Sequence, residues 1–388
     1  MSWIKTIRNS LNKAAGKAAQ RRAGSAAAHS HKRSYGLFQI EPTLQCSLSC
    51  VMCPWAELRP ENAMMTWETF SNIARYLSLA EAVDLTGGGE PLLSPLLPEM
   101  VRMAKEAGCT VGFSTNGMRL VPAMSEQLVS LGLDWISFSV DAATPEMYES
   151  IRQGASFEVV TSNIRALHEI KQATGSQVPK MMMVFVMMGD LSGGQDGRNG
   201  NYQQLPQFIE TAHALGVEQV IAKNLDVILK DGDDDRRLFS HDGPPQNEVH
   251  TILSQAQARA RELGVGLRTY LLQPQEQTIC EHDPLRNLFF NWRGEVSPCI
   301  TLSYAEKRVF DGERILVPCQ RFGNINQGSL ESIWGEPAYQ EFRRAFEQRQ
   351  AWQQSALIDM VLGSSDEAAG DIPPAPEGCR TCYYLYGI

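Results

Sequence analysis

The chain has 388 residues, 43% of them hydrophobic and 20% charged, enough for a barrel-sized core with a smaller unit attached, because single cores stop growing near about 250 to 300 residues. No apolar run approaches the ~18 residues of a membrane span; the longest, Met181 to Met188, suits a buried strand in a soluble protein. The net charge of −9 falls on a body too acidic to neutralise phosphates, which argues against nucleic-acid binding.

The charge is uneven. Lys5, Arg8, Lys13, Lys17, Arg21, Arg22, Lys32 and Arg33 lie in the first 40 residues without a single acid, leaving 27 basic against 44 acidic residues and a remainder near −17. Within this tail, residues 1–34, Trp3, Ile4, Ile7 and Leu11 fall at helical spacing. An amphipathic helix on an anionic membrane or a partner would read this way; a solvated, frayed terminus is the simpler expectation. With no signal peptide, the nine cysteines are expected to be reduced and cytoplasmic, and their ligand-like spacings suggest metal binding.

After the tail, apolar runs predict strands at Phe38 to Thr43, Ala82 to Thr86, Thr110 to Ser114, Trp135 to Val140, Lys180 to Met187 and Glu218 to Lys223. Helical patterns separate them: Trp67 to Leu79 behind a Thr66 cap, Leu96 to Ala107, Phe157 to Ile170 and Gln204 to Leu215. Six βα units imply a parallel sheet that falls short of eight, an open or partial barrel whose site lies at the C-terminal strand ends. Ser192 to Gly200 reads as a flexible insertion, and Asp231 to Asp235 as an acidic loop before a helix over Asn247 to Leu263. The rhythm stops near Tyr270. NWRG, residues 291 to 294, resembles a hairpin tip, so a barrel over 35–274 and a separate unit over 275–388 are expected.

Cys46, Cys50 and Cys53 follow the first strand, with no His or fourth Cys nearby. A structural zinc would want four ligands close at hand; three thiolates on a four-iron cube leave one iron open.

Here the sequence resembles the radical S-adenosylmethionine (SAM) superfamily, whose CxxxCxxC motif sits after the first strand of a partial (β/α)6 barrel. The resemblance runs from about Leu37 to Ile228. It implies that Thr86 to Pro91, with Gly88, Gly89 and Glu90, form the glycine-rich loop that receives the SAM amino group, glycine permitting close approach. It implies ribose contacts from Ser114, Thr115 and Asn116, and ribose or carboxylate contacts from Ser139, Asp141 and Arg152. Met52 stands where the family often has an aromatic residue and can pack beside the adenine. Taken singly, each of these could be an ordinary turn or a surface cation; their order behind CxxxCxxC carries the reading.

Cys280, with Gly294 and Cys299 at the spacing of a SPASM or twitch extension, resembles that auxiliary-cluster unit, with FGNINQGSLESIW, residues 322 to 334, as its connecting segment. Cys280, Cys299, Cys379 and Cys382 would hold one auxiliary 4Fe–4S cluster; a structural zinc in the same thiols is the competing reading. Cys109 reads as a small buried hydrophobe. Cys319 remains as an inert thiol, a replacement ligand or a hydrogen donor to a substrate radical.

The resemblance implies an oxidoreductase or transferase in which a 4Fe–4S cluster, reduced by flavodoxin or ferredoxin, cleaves SAM to a 5′-deoxyadenosyl radical that abstracts a substrate hydrogen atom. Relatives act on small metabolites or on ribosomal peptides. The short segment before the barrel, where many peptide enzymes carry a leader-binding module, tilts the expectation to a small molecule. A non-enzymatic, metal-stabilised scaffold would explain the cysteines but not the glycine and STNG motifs.

Overall fold

A computed structural model describes residues 33–189, 200–228, 236–239, 247–304, 307–362 and 371–388. The amphipathic pattern in the tail, the insertion up to residue 199 and the acidic loop lie outside the described residues.

The six expected strands are present as β1 (Tyr35–Ile40), β2 (Ala80–Asp84), β3 (Thr110–Thr115), β4 (Trp135–Ser139), β5 (Lys180–Met187) and β6 (Gln219–Asn224). They pair in parallel and in chain order. Alternation of side chains divides the sheet between two tasks. Phe38, Ile40, Phe113, Ile136, Phe138, Met183 and Phe185 pack into the main core under the helices. Leu37, Gln39, Ser114, Ser137, Ser139, Val184 and Val186 line the opposite, concave face.

The parallel sheet extends beyond six strands. β7 (Gly266–Thr269) adds to β6, and β8 (Asn287–Phe290) pairs in parallel with β1, Leu37 against Asn287. β7 is short and carries Arg268, so it lacks an apolar run; Leu288 to Phe290, just before the hairpin tip, is too short a run to mark a sheet strand. That hairpin exists, with β9 (Glu295–Ser297) antiparallel to β8 and Gly294 at φ +82° in the turn. β10 (Gly323–Asn324) completes one edge and β7 the other, so the ten-stranded sheet is open and the barrel partial.

The sheet and its core run on past residue 275 through β8. Arg33, counted with the tail on sequence grounds, donates to the carbonyls of Ala107 (3.1 Å) and Gly108 (2.7 Å) and so belongs to the ordered fold.

Thr66 caps the first helix, Trp67–Ala74, accepting from Thr69 N at 3.2 Å, and a 3-10 turn at Leu77–Leu79 completes the expected span. Helices at Pro122–Ser130 and Pro145–Ile151, and the 26-residue Pro337–Leu362, were not anticipated. Among the described residues no helix is long and apolar enough to cross a membrane.

Candidate active site

The C-terminal strand ends enclose a cavity of about 380 Å³, lined by Cys46, Cys50 and Cys53; small-molecule sites span about 300 to 1,000 Å³. Each thiol has a donor. Asn116 Nδ2 lies 3.7 Å from Cys46 Sγ, Arg152 Nη1 3.7 Å from Cys50 Sγ and Arg59 Nη2 3.3 Å from Cys53 Sγ. Burial pushes the Cys46 thiol up and the Cys50 thiol up to about 11, with Arg152 opposing the shift at Cys50. Such thiols are reluctant anions alone and become good ligands when a cationic cluster supplies the counter-charge. The donor set therefore fits a three-thiolate cluster.

The glycine loop has a different logic from the one expected. A Cβ on Gly87 would lie 2.2 Å from Glu41 Cγ, one on Gly88 2.5 Å from Leu44 Cδ1, and one on Gly89 2.4 Å from the carbonyl oxygens of Thr43 and Gln45. The chain's own cysteine-bearing loop fills that space, so the glycines are needed before any cofactor arrives.

Gly88, Gly89, Glu90, Ser114, Asn116, Ser139 and Arg152 all line the cavity. Glu90, however, is committed to the fold. Its carboxylate accepts from Leu92 N (3.0 Å), Thr115 Oγ1 (2.6 Å) and Asn116 N (2.7 Å), bracing the second strand's loop against the third's. Asp141 sits behind the wall, at φ +63°, with one oxygen on Val186 N (2.7 Å) and the other 2.5 Å from Arg152 Nη2. It aims Arg152 and leaves Nη1 toward Cys50. Asn201, fully buried, steadies this corner by donating to the carbonyls of Asp141 and Val186, both at 2.8 Å.

The same cavity has a polar wall that no sequence motif marked. Lys223 Nζ pairs with Asp226 Oδ2 (2.7 Å) and donates to Tyr384 Oη (3.2 Å). Arg268 Nη2 and Tyr270 Oη both meet Glu281 Oε2, at 3.2 and 3.1 Å. His282, its ring 4.6 Å from that of Tyr384, leaves Nε2 buried without a partner, and burial lowers its pKa. The available signals were positional: Lys223 and Asp226 lie at the end of β6, and Glu281, His282 and Tyr384 closely follow Cys280 and Cys382. Arg59 and Glu41 had no such signal.

The four C-terminal cysteines come together beside this wall. Burial raises all four thiols, Cys299 up to about 12, and the thiol charges acting on Cys379 are those of Cys280, Cys299 and Cys382. Two buried arginines seat them. Arg349 is fully buried, donates to the carbonyls of Gln277 (2.7 Å), Thr278 (3.0 Å) and Pro373, and pairs with Glu276 (2.8 Å), tying the final segment to the approach of Cys280. Arg308 donates to Gly378 O at 2.9 Å, holding the closing CxxC. Among the described residues no three His, Cys, Asp or Glu side chains converge as ligands of one ion; a cluster distributes its thiolates over separate irons. Cys109 is 2% exposed in the main core, its thiol donating to Leu77 O at 3.1 Å.

Residues 40–189 match the radical SAM superfamily, and residues 280–383 match SPASM, an iron–sulfur cluster-binding domain. The chain carries a radical SAM domain followed by a SPASM domain. This radical SAM chain is 26% identical over 313 residues to a tungsten-containing aldehyde ferredoxin oxidoreductase cofactor-modifying protein of Pyrococcus furiosus, covering 78% of this chain and 82% of that one. A probable GTP 3′,8-cyclase of Methanococcus aeolicus is 25% identical over 311 residues, 78% of this chain and 96% of the relative. Streptococcus suis SuiB bound to its precursor peptide SuiA shares the fold, with a TM-score of 0.56 at 13% identity over 91% of this chain and 71% of that one. The protein is thus a radical SAM enzyme that takes SAM with a 4Fe–4S cluster and carries an auxiliary iron–sulfur domain.

Proposed function

We propose that this radical SAM enzyme acts on a small polar molecule held between the three-cysteine loop and the wall of Lys223, Asp226, Tyr270, Glu281, His282 and Tyr384. One observation carries the reading: a single cavity is lined both by Cys46, Cys50 and Cys53 and by the neighbours of Cys280 and Cys382. When bound, the first cluster and SAM supply a carbon radical able to take a hydrogen atom from an unactivated C–H bond. The chain supplies placement. Arg152, held by Asp141, presents a guanidinium suited to the SAM carboxylate. Ser114 and Ser139 offer hydroxyls from successive strands, and Met52 an apolar surface.

The far wall selects by charge. Lys223 is matched by Asp226 and Arg268 by Glu281, and burial keeps His282 neutral. A ligand bringing net charge would lie buried without a counter-ion, at a cost of several kcal/mol. An uncharged or zwitterionic substrate with hydroxyl or amide groups fits, as does a biosynthetic oxidation, rearrangement or bond formation. Cys280, Cys299, Cys379 and Cys382 hold one auxiliary 4Fe–4S cluster in this reading, with Cys319 outside the set and a flavodoxin or ferredoxin as reductant.

Peptide maturation is the second reading, favoured by the fold shared with peptide-bound SuiB. One residue of a peptide would then occupy the same wall. Anaerobic reconstitution with iron counting tests the common core: about eight irons per chain and 5′-deoxyadenosine on reduction are expected. Zinc in place of iron, or intact SAM after reduction, would overturn it. Metabolite and precursor-peptide screens for substrate-stimulated SAM cleavage separate the two readings.

A further inference from the structure

Glu41 follows β1 and is fully buried, yet it belongs to no cofactor motif. Its carboxylate gathers three donors from two distant parts of the chain. Oε1 accepts from Gly88 N at 2.8 Å; Oε2 accepts from Trp292 N at 3.3 Å and from the Tyr304 hydroxyl. Trp292 is in the turn between β8 and β9, and Tyr304 is five residues past Cys299. A buried carboxylate is tolerated when its lone pairs are filled, so these donors hold one another in place through it.

The glycine loop has little freedom to relax around this group. Gly87 is already so close that an added Cβ would collide with Glu41, and Gly88 would lose its acceptor if the loop drew back. The Tyr304 ring is also packed near Trp55, 6.0 Å away, and Phe289, 6.2 Å away. Trp55 lines the cavity two residues beyond Cys53.

We infer that Glu41 is a positioning residue that sets the glycine loop for SAM and keys its position to the seating of the cysteine-rich C-terminal region. The inference rests on the radical SAM reading of the site. Glu41 itself touches neither cofactor nor substrate; it acts through Gly88 on one side and Tyr304 on the other. SAM affinity is therefore sensitive to a hydroxyl outside the SAM-binding motifs.

Anaerobic equilibrium binding of SAM to the reconstituted enzyme, alongside iron content, tests this. Glu41→Gln leaves an amide N–H facing one of the three donors and is expected to weaken SAM binding about tenfold or more, the scale of a lost charge-assisted hydrogen bond. Tyr304→Phe keeps the packed ring, removes only the hydroxyl, and is expected to weaken SAM binding severalfold with iron content unchanged. The double variant should bind no worse than Glu41→Gln alone, because both act through one carboxylate. Wild-type SAM affinity in Tyr304→Phe, or losses that multiply in the double variant, would overturn the coupling while leaving the enzyme assignment intact. A wild-type protein that assembles its clusters and binds no SAM would instead remove both. Tyr304→Phe carries the test alone if Glu41→Gln fails to fold.

Discussion

Asp84, at the end of β2, lines the cavity at 5% exposure, with the Thr86 hydroxyl donating to it at 2.5 Å. Burial pushes its pKa up to about 7. The folded value thus lies above the unfolded one, near about 3.9; folding favours the protonated form, and the stability this contributes is complete below about pH 4 and lost as pH rises through about 7. Asp84→Asn should therefore raise the unfolding temperature at pH 8 and change it far less at pH 5. Equal gains in melting scans at both pH values would show that the charge is not the cause. Burial raises the Asp141 pKa as well, but here a cation opposes the shift. Its partner Arg152 is buried, so Asp141→Asn leaves an unpaired internal cation and should cost about 3 to 5 kcal/mol in denaturant unfolding. The Asp141 motif position was legible in the sequence; its place behind Arg152 was not, because a left-handed residue at a strand end turns its carboxylate by backbone geometry rather than composition.

At the scale of elements, six strands of a parallel sheet were readable from apolar runs alternating with helical patterns, and the hairpin tip at 291 to 294 from its place between two apolar runs. β7 and β8 were not recognised as barrel strands. Four-residue strands have too few alternating positions to announce themselves, and both gain their stability from a longer neighbour, β6 or β1. The glycine loop stands out in the sequence, and the reason for its composition lies in the segment packed across it. Gly89→Ala tests that reason. A Cβ 2.4 Å from two carbonyl oxygens must displace backbone, so the apoprotein should lose about 1 to 3 kcal/mol in thermal or denaturant unfolding without any cofactor present. An apoprotein of wild-type stability that fails only in SAM binding would restore the close-approach explanation.

The whole molecule brings the three-cysteine loop and the neighbours of Cys280 and Cys382 to one cavity across more than 300 residues of chain, from Cys46 to Tyr384. Arg349 and Arg308 do this without contributing a ligand, by filling backbone carbonyls that flank the cysteines. Joint replacement of Cys379 and Cys382 by Ala should lower the iron content by about four per chain while SAM cleavage on reduction persists. Turnover should fail. Full iron retention by the folded double variant would show that another residue completes the auxiliary site. The sequence by itself determined the partial-barrel class, the superfamily and its cofactors, because CxxxCxxC, TGGGEP and the closing CxxC are local strings whose chemistry resides in neighbouring residues. Only the tertiary structure decided that Glu90 and Asp141 brace the site, that Glu41 joins the glycine loop to the C-terminal region, and that Lys223, Asp226, Tyr270, Glu281 and Tyr384 form one wall. Those roles depend on groups distant in the chain becoming buried together, where each charge and hydrogen bond must find a partner that no local pattern specifies.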